Sequence, residues 1–413
     1  MAFRLLHCAD LHHGNDEDLL RDTTKCAEFM VAQARERRPD LIAIAGDIWD
    51  RAVVLGSPAT IAAIRLVQQM GAIAPVVIAS GTLTHDAPGS TRVFNELRTT
   101  YHVYAADTPQ QIALTPSGFV PLAPDVSMTT LKECSAVISL LPTVTKAGIL
   151  AVSDLSVNEG NEEIAELLRD LLQAWGILNE TANSFSIPTV LVGHCNVTGS
   201  SLSTGQKLVG REIEVGITDL RLARARVNCL GHIHKAQQLG SNTFFSGSLT
   251  RQDHAETEDK GFYVHRIDGD RLESEFVKTP ARKMVTLKAD GLPDTSLLDT
   301  IEEGDFVRIV YTVKEEERHR VDDAALVRIA KEKGAAEVKI DKETIPLATT
   351  RGEGISRLRS LPEKFGKWAE LNGVAVTEGL LSKLEMLQTR DAAGILEGYF
   401  GKEEADEGQL FAA

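Results

Sequence analysis

The stretch Leu41–Asp50 reads LIAIAGDIWD: five apolar residues, a glycine, and two aspartates three positions apart. An apolar run of this length closed by Gly46-Asp47 predicts a strand buried on both faces with a carboxylate at its carboxyl end. The same arrangement recurs on either side. Phe3–Ala9 runs into Asp10 and His12, Val76–Ser80 is followed by His85 and Asp86, Thr189–Val192 by His194, and Val227–Leu230 by His232 and His234. Val137–Leu141, Thr243–Phe245 and Gly261–Ile267 are further strand-like runs. Helix-like segments lie between several of them: Arg21–Arg37 with apolar Cys26, Phe29, Met30 and Ala34, Pro58–Gln69, and Asn161–Trp175. Alternating strands and helices predict an α/β fold built on layered β-sheet.

Every Asp and His cluster falls at the carboxyl end of a predicted strand, the edge where loops of an α/β sheet converge on a ligand crevice. Residues two apart in extended chain point the same way, so Asp10 with His12, and His232 with His234, each offer two ligands to one place. This is the chemistry of metal-assisted phosphate-ester cleavage, in which two cations about 3.5–4 Å apart hold phosphate oxygens and turn water into hydroxide. A carboxylate must bridge them, and Asp47 is the best placed, because Gly46 allows close backbone approach. Imidazole and carboxylate ligands without thiolate fit manganese, iron or zinc better than calcium. Taken singly, an Asp-x-His or a Gly-Asp-x-x-Asp is more often a loop or capping feature. Five such clusters in one order, each after an apolar run, make coincidence remote. His7, inside its strand, reads as a packed or hydrogen-bonded histidine, and His13 as a rim residue.

The chain has 413 residues, enough for two to three domains. Lys plus Arg number 44 against 59 Asp plus Glu, a formal charge of −15, which excludes a protein that coats DNA by charge alone. Five cysteines without CxxC spacing suggest neither a disulfide framework nor a thiolate zinc site. With no long apolar run and no signal-peptide pattern, no membrane contact and a cytoplasmic location are expected. The expected domains are 1–268 for the metal-bearing core, ending where Gly261–Ile267 meets the turn-like Asp268-Gly269-Asp270, and 269–343 for a small βαβ-type unit. A linker at 344–361 and terminal helices with an acidic tail at 362–413 follow. The small unit comprises strands Met284–Lys288, Asp305–Val313 and Ala335–Ile340 and a helix over Asp322–Lys333; KEEERHR at Lys314–Arg320 is read as a solvated connection. Pro362 and Gly373 bracket the first terminal helix, and Thr377 caps the second.

The series Asp10-x-His12, Gly46-Asp47-x-x-Asp50, Gly81…His85-Asp86, Gly193-His194 and Gly231-His232-Ile233-His234 resembles the signature of the calcineurin-like metallophosphoesterases. Within that superfamily, FFSGSLTRQDHAETEDKGFYV (Phe244–Val264) resembles the closing strands of SbcD-like nucleases of DNA double-strand-break repair. The βαβ unit resembles that family's capping domain, and the terminal helices its ATPase-docking segment; about 105–134 matches least well. The resemblance implies that Asp10, His12, Asp47 and His234 bind one divalent ion and Asp47, His194 and His232 the other, with manganese the expected metal. It implies that His85 protonates or stabilises the scissile group, with Asp86 orienting its ring, and that Asp50 supports the ligands. It further implies exonuclease and endonuclease activity on DNA, a coiled-coil SbcC-like ATPase as partner, and a homodimer.

One departure stands out. Where the family has Gly-Asn-His-Asp, with the Asn on the second metal, this chain has Gly81-Thr82-Leu83-Thr84-His85-Asp86. Thr84 is favoured as substitute because it precedes His85; Thr82, Asn196 or a water are the alternatives. A small-molecule or protein phosphoesterase on the same core, or a degenerate scaffold, are the competing functions. Arg221, Arg224, Arg226, Arg251 and Lys260 are candidate contacts to DNA phosphates, the alternative being an ordinary solvated surface. In the terminal helices Phe365, Trp368 and Ala369 form one apolar stripe and Leu380, Leu381, Leu384 and Leu387 a second, read as the ATPase-docking face rather than faces folded back on the cap unit.

Overall fold

The computed structural model describes residues 2–52, 54–123, 131–143, 161–203, 214–346, 354–391 and 394. The expected linker therefore lies partly, and the acidic tail wholly, outside the described residues. The strands in chain order are β1 (Phe3–Cys8), β2 (Leu41–Ala45), β3 (Val76–Ala79), β4 (Val103–Ala106), β5 (Gln110–Thr115), β6 (Gly118–Pro121), β7 (Ala136–Leu141), β8 (Thr189–His194), β9 (Asn196–Val197), β10 (Glu214–Val215), β11 (Val227–Gly231), β12 (Gln237–Leu239), β13 (Thr243–Phe245), β14 (Gly261–Asp268), β15 (Arg271–Lys278), β16 (Met284–Asp290), β17 (Phe306–Lys314) and β18 (Glu337–Ile345).

Two large sheets form the core. One runs β15-β14-β1-β2-β3-β4, the other β12-β13-β11-β8-β7-β5-β6. In the first, β1 to β4 are mutually parallel; in the second, β7, β8, β11 and β13 are parallel. Side chains alternate as the pleat demands. Leu5, Ala43 and Val77 face the other sheet, packing with Ile138, Val190, Val192, Val227 and Phe244. Leu6, Ile42, Ile44 and Ile78 face outward onto the helices Glu17–Arg37 and Pro58–Gly71 through Cys26, Met30, Ala34, Ala63 and Val67. The helix Asn161–Ser184 covers the second sheet, burying Ile164, Leu168, Leu172 and Trp175 at i, i+4, i+8 and i+11, the spacing of one helical face. The fold is thus a mixed α/β sandwich, two sheets face to face with helices outside.

One sequence expectation changes here. The turn Asp268-Gly269-Asp270, read as the end of the core, joins β14 to β15 in an antiparallel hairpin with Asp268 opposite Arg271. A two-residue turn has the composition of a linker, and only the pairing shows that β15 still belongs to the first sheet. The poorly matched stretch carries β4 at the edge of one sheet and β5 and β6 at the edge of the other, so the chain changes sheets there.

The chain divides into two compact units, 1–311 with 321–342, and 312–320 with 343–413. β16, β17 and β18 form a third sheet in that order, with the helix Asp323–Glu332 between the last two strands in sequence. Glu315–Arg320 is a 3₁₀ turn with no buried residue. The terminal helices are Leu361–Asn372 and Glu378–Thr389. Ser360 and Glu363 form a reciprocal capping box at the first, and Gly373 ends it at φ 65°, where a side chain would be strained.

Candidate metal centre

The carboxyl ends of β1, β2 and β3 meet those of β8 and β11. The loops after β1 and β2 are zipped together: Asp10, His12 and His13 donate their backbone N–H groups to the carbonyls of Gly46, Asp47 and Ile48 at 3.0, 3.1 and 2.9 Å. Asp10, His12 and Asp47 in these loops, and His232 after β11, have positive φ (51°, 47°, 52° and 92°), a concentration of backbone strain of the kind that marks functional sites. Gly231 is required by close approach, since a Cβ there would collide with the Ala45 carbonyl of the neighbouring sheet.

Two clusters result, buried except for the half-buried His234. Asp10, His12 and His234 hold their ligand atoms within 4.8 Å of one another, as do Asp47, His194 and His232. The imidazoles are held from behind. His194 Nδ1–H donates to the Ala45 carbonyl at 2.7 Å, His234 Nδ1 lies 2.9 Å from Glu256 Oε1, and His85 Nδ1–H donates to the Asp50 carbonyl at 2.7 Å. Each thereby presents Nε2 inward, the pattern of metal-binding or reacting histidines. The Nε2 atoms of His12 and His234 face each other at 3.0 Å, and His194 Nε2 lies 3.2 Å from Asp47 Oδ2. Asp10 Oδ1 accepts the His232 N–H at 2.8 Å, while its buried Oδ2 has no hydrogen-bond partner among the described residues.

Electrostatics follow the geometry. Burial raises Asp10, against the pull of His194 and His234. Burial also works against ionised Asp47, but the His194 charge outweighs it and holds this carboxyl below the usual range. His194 is correspondingly pushed up to about 10, Asp47 overcoming the cost of burial. His12 is held well below its ordinary value by burial and by His234. Converging imidazoles, two buried carboxylates and an orphaned carboxylate oxygen are a donor set that fits divalent cations, and Asp47 acts electrostatically on residues of both clusters.

All six ligand candidates from the sequence come together, and His85 sits beside them with its ring edge 4.8 Å, centroid to centroid, from His12. Asp86 does not orient His85. Its carboxylate is buried beneath the loops and accepts three backbone N–H groups, from Asp47 (3.0 Å), Ile48 (3.0 Å) and Gly81 (2.7 Å), while the Asp50 carbonyl holds the His85 ring. Thr84, the favoured substitute for the missing Asn, is exposed. Thr82 occupies that position instead: its N–H donates to Asp47 Oδ1 at 2.6 Å, and its hydroxyl lies 3.3 Å from both Asp47 Oδ2 and His194 Nε2. The cause is local. His85 and Asp86 both donate their N–H to the Thr82 carbonyl, closing a turn that swings Thr84 outward.

Lys260 and Arg251, read from the sequence as candidate DNA contacts, are committed to partners within the chain. Lys260 is buried between Glu256 and Glu258, and Arg251 commits its guanidinium to the carbonyls of Glu256, Glu258 and Arg282. His7 is a core histidine as read: its Nε2–H donates to the Leu230 carbonyl and its Nδ1 lies 3.4 Å from His265 Nε2. His13, expected at the rim, is buried. Glu256 was not singled out by sequence; its only signal was its place inside the family-like segment Phe244–Val264.

The family model of the calcineurin-like phosphoesterases matches residues 3–236, and the chain belongs to that family. It is a metal-dependent phosphoesterase, and its two clusters fit a pair of divalent cations. Among solved structures, a dimetal phosphatase from Danio rerio is 13% identical over 67% of this chain and 96% of its own, with a TM-score of 0.37. A second is 12% identical over 67% and 99%, with a TM-score of 0.34. Both likenesses are too weak to inform fold or activity. No curated protein matches the chain.

Proposed function

We propose that the chain is a DNA nuclease of double-strand-break repair, cleaving phosphodiesters as exonuclease and endonuclease with two manganese ions. It works as a cytoplasmic homodimer with an SbcC-like coiled-coil ATPase. The observation that carries this reading is the SbcD-like segment Phe244–Val264, which is built into the site: Glu256 and Lys260 hold the side chain and carbonyl of His234. Bound cations would supply the hydroxide and polarise the phosphate. His85, its Nδ1–H tied to the Asp50 carbonyl, presents Nε2 to the phosphate and, when protonated, gives that proton to the leaving oxygen. Arg221 and Arg224 are exposed and Arg226 half-buried, and these three are the remaining candidates for DNA phosphates. Trp368, Leu380, Leu381 and Leu387 are 42%, 38%, 43% and 63% exposed, an apolar surface suited to a partner coiled coil. No helix among the described residues is long and apolar enough to cross a membrane.

The test is hydrolysis of linear duplex DNA and of a small chromogenic phosphodiester, with manganese, with chelator, and with the ATPase added. Chelator-sensitive cutting of DNA is expected. Cleavage of the small ester with none of DNA, even with the ATPase, would instead support a small-molecule phosphoesterase, and inactivity on both with metal bound a degenerate scaffold. Truncation before Pro362 is expected to preserve hydrolysis of the small ester and abolish ATPase association; co-purification at undiminished affinity would refute the docking role.

A further inference from the structure

We propose that Glu256 and Lys260 are positioning residues that fix His234 from two sides. The inference rests on His234 being a metal ligand. Glu256 and Lys260 are 1% and 2% exposed, so neither serves solvent or a surface partner. Glu256 Oε1 takes the His234 ring at Nδ1, and Oε2 meets Lys260 Nζ at 2.8 Å and accepts the Gln252 N–H at 2.9 Å. Lys260 Nζ in turn donates to the carbonyl of His234 at 3.0 Å and pairs with Glu258 at 2.9 Å. One carboxylate thus sets the ring and one ammonium the backbone of the same residue, and the two are bonded to each other.

A buried ion pair is weak as plain structural support, because desolvation offsets its attraction and apolar residues of equal volume often serve as well. An apolar pair could not hold a ring N–H and a carbonyl. The Nδ1–H bond to Glu256 selects the tautomer whose Nε2 lone pair points at the cluster. Arg251, bonded to the carbonyls of Glu256 and Glu258, keeps the supporting loop from shifting. The family-like segment therefore acts as the back wall of one ligand.

Full-length protein stripped of metal is titrated with Mn²⁺ by calorimetry, and the imidazole ¹⁵N spectrum of the metal-free protein is recorded. Wild type is expected to show His234 with its proton on Nδ1. Glu256→Ala is expected to weaken one of the two manganese sites by about 10–100-fold and leave the other unchanged. Glu256→Gln, which keeps an acceptor without the charge, should lose less. Asn179→Ala, which removes a buried side chain donating to the Ala223 carbonyl at 2.7 Å on the outer helix, should lower stability with manganese affinity intact. Wild-type affinity in Glu256→Ala, an equal loss in Asn179→Ala, or a wild-type His234 protonated on Nε2 would overturn the assignment; the spectrum decides even if Glu256→Ala does not fold. A wild type that binds no manganese would overturn the metal site itself, and with it this inference.

Discussion

Replacing Asp86 by Ala separates two roles that predict different outcomes. If the carboxylate oriented His85, the variant would fold, hold its metals and turn over slowly. The structure dictates otherwise. Three buried N–H donors, those of Asp47, Ile48 and Gly81, lose their acceptor, at about 1–3 kcal/mol each. Against this stands relief from burying a charge: burial and the neighbouring Asp47 raise Asp86 to about 6, equivalent to about 3 kcal/mol opposing its ionised form. The difference leaves a net loss centred on about 3 kcal/mol at pH 8, or on the order of 4 °C in melting temperature for a unit of this size. Because the stranded donors include that of Asp47, held at φ 52°, metal content should fall as well. Asp86→Asn keeps one oxygen for two of the three donors but turns an NH₂ toward the third, and should fall between wild type and Ala. Thermal melts and metal analysis of purified variants read this directly. An Asp86→Ala protein with wild-type melting temperature and metal content but depressed turnover would refute the reasoning and restore the orienting role.

His85→Ala should keep its metals and its melting temperature yet lose about 10²–10⁴-fold in turnover, because its ring touches the ligands only at an edge; steady-state rates on a small phosphodiester decide. Thr82→Val should weaken manganese binding, measured by calorimetry, whereas Thr84→Val should match wild type; the reverse order would show that the turn is drawn wrongly. Burial lowers His7 to about 3, so the unfolded chain takes up a proton here that the folded chain refuses. Its contribution is fully present above about pH 6.5 and is lost as pH falls toward about 3, at about 1.4 kcal/mol per pH unit. His7→Gln should therefore flatten the acid limb of a stability-against-pH curve.

The strands and the strand-end places of the six clustered Asp and His residues were legible in the sequence because both are local properties. An apolar run closed by glycine and a charged residue marks a strand and its end without reference to any other part of the chain. Likewise Pro362 and Gly373 announce a helix by constraints on their own backbone. Tertiary structure alone decided which loop atoms meet. Asp86 sits next to His85 in sequence, yet the turn at Thr82 sends its carboxylate beneath the β2 loop and leaves the His85 ring to the Asp50 carbonyl. That same turn put Thr82, rather than Thr84, against Asp47. Lys260 looked like a surface cation because charge is read from composition, whereas its burial depends on two glutamates brought around it by the loop between β13 and β14. Asp268-Gly269-Asp270 reads as a boundary for the same reason: a tight hairpin and a linker share a composition, and only the register of β15 against β14 tells them apart. Side-chain identity fixes what chemistry is available; the loop dihedrals and the pairing of distant strands fix which atoms come within reach of it.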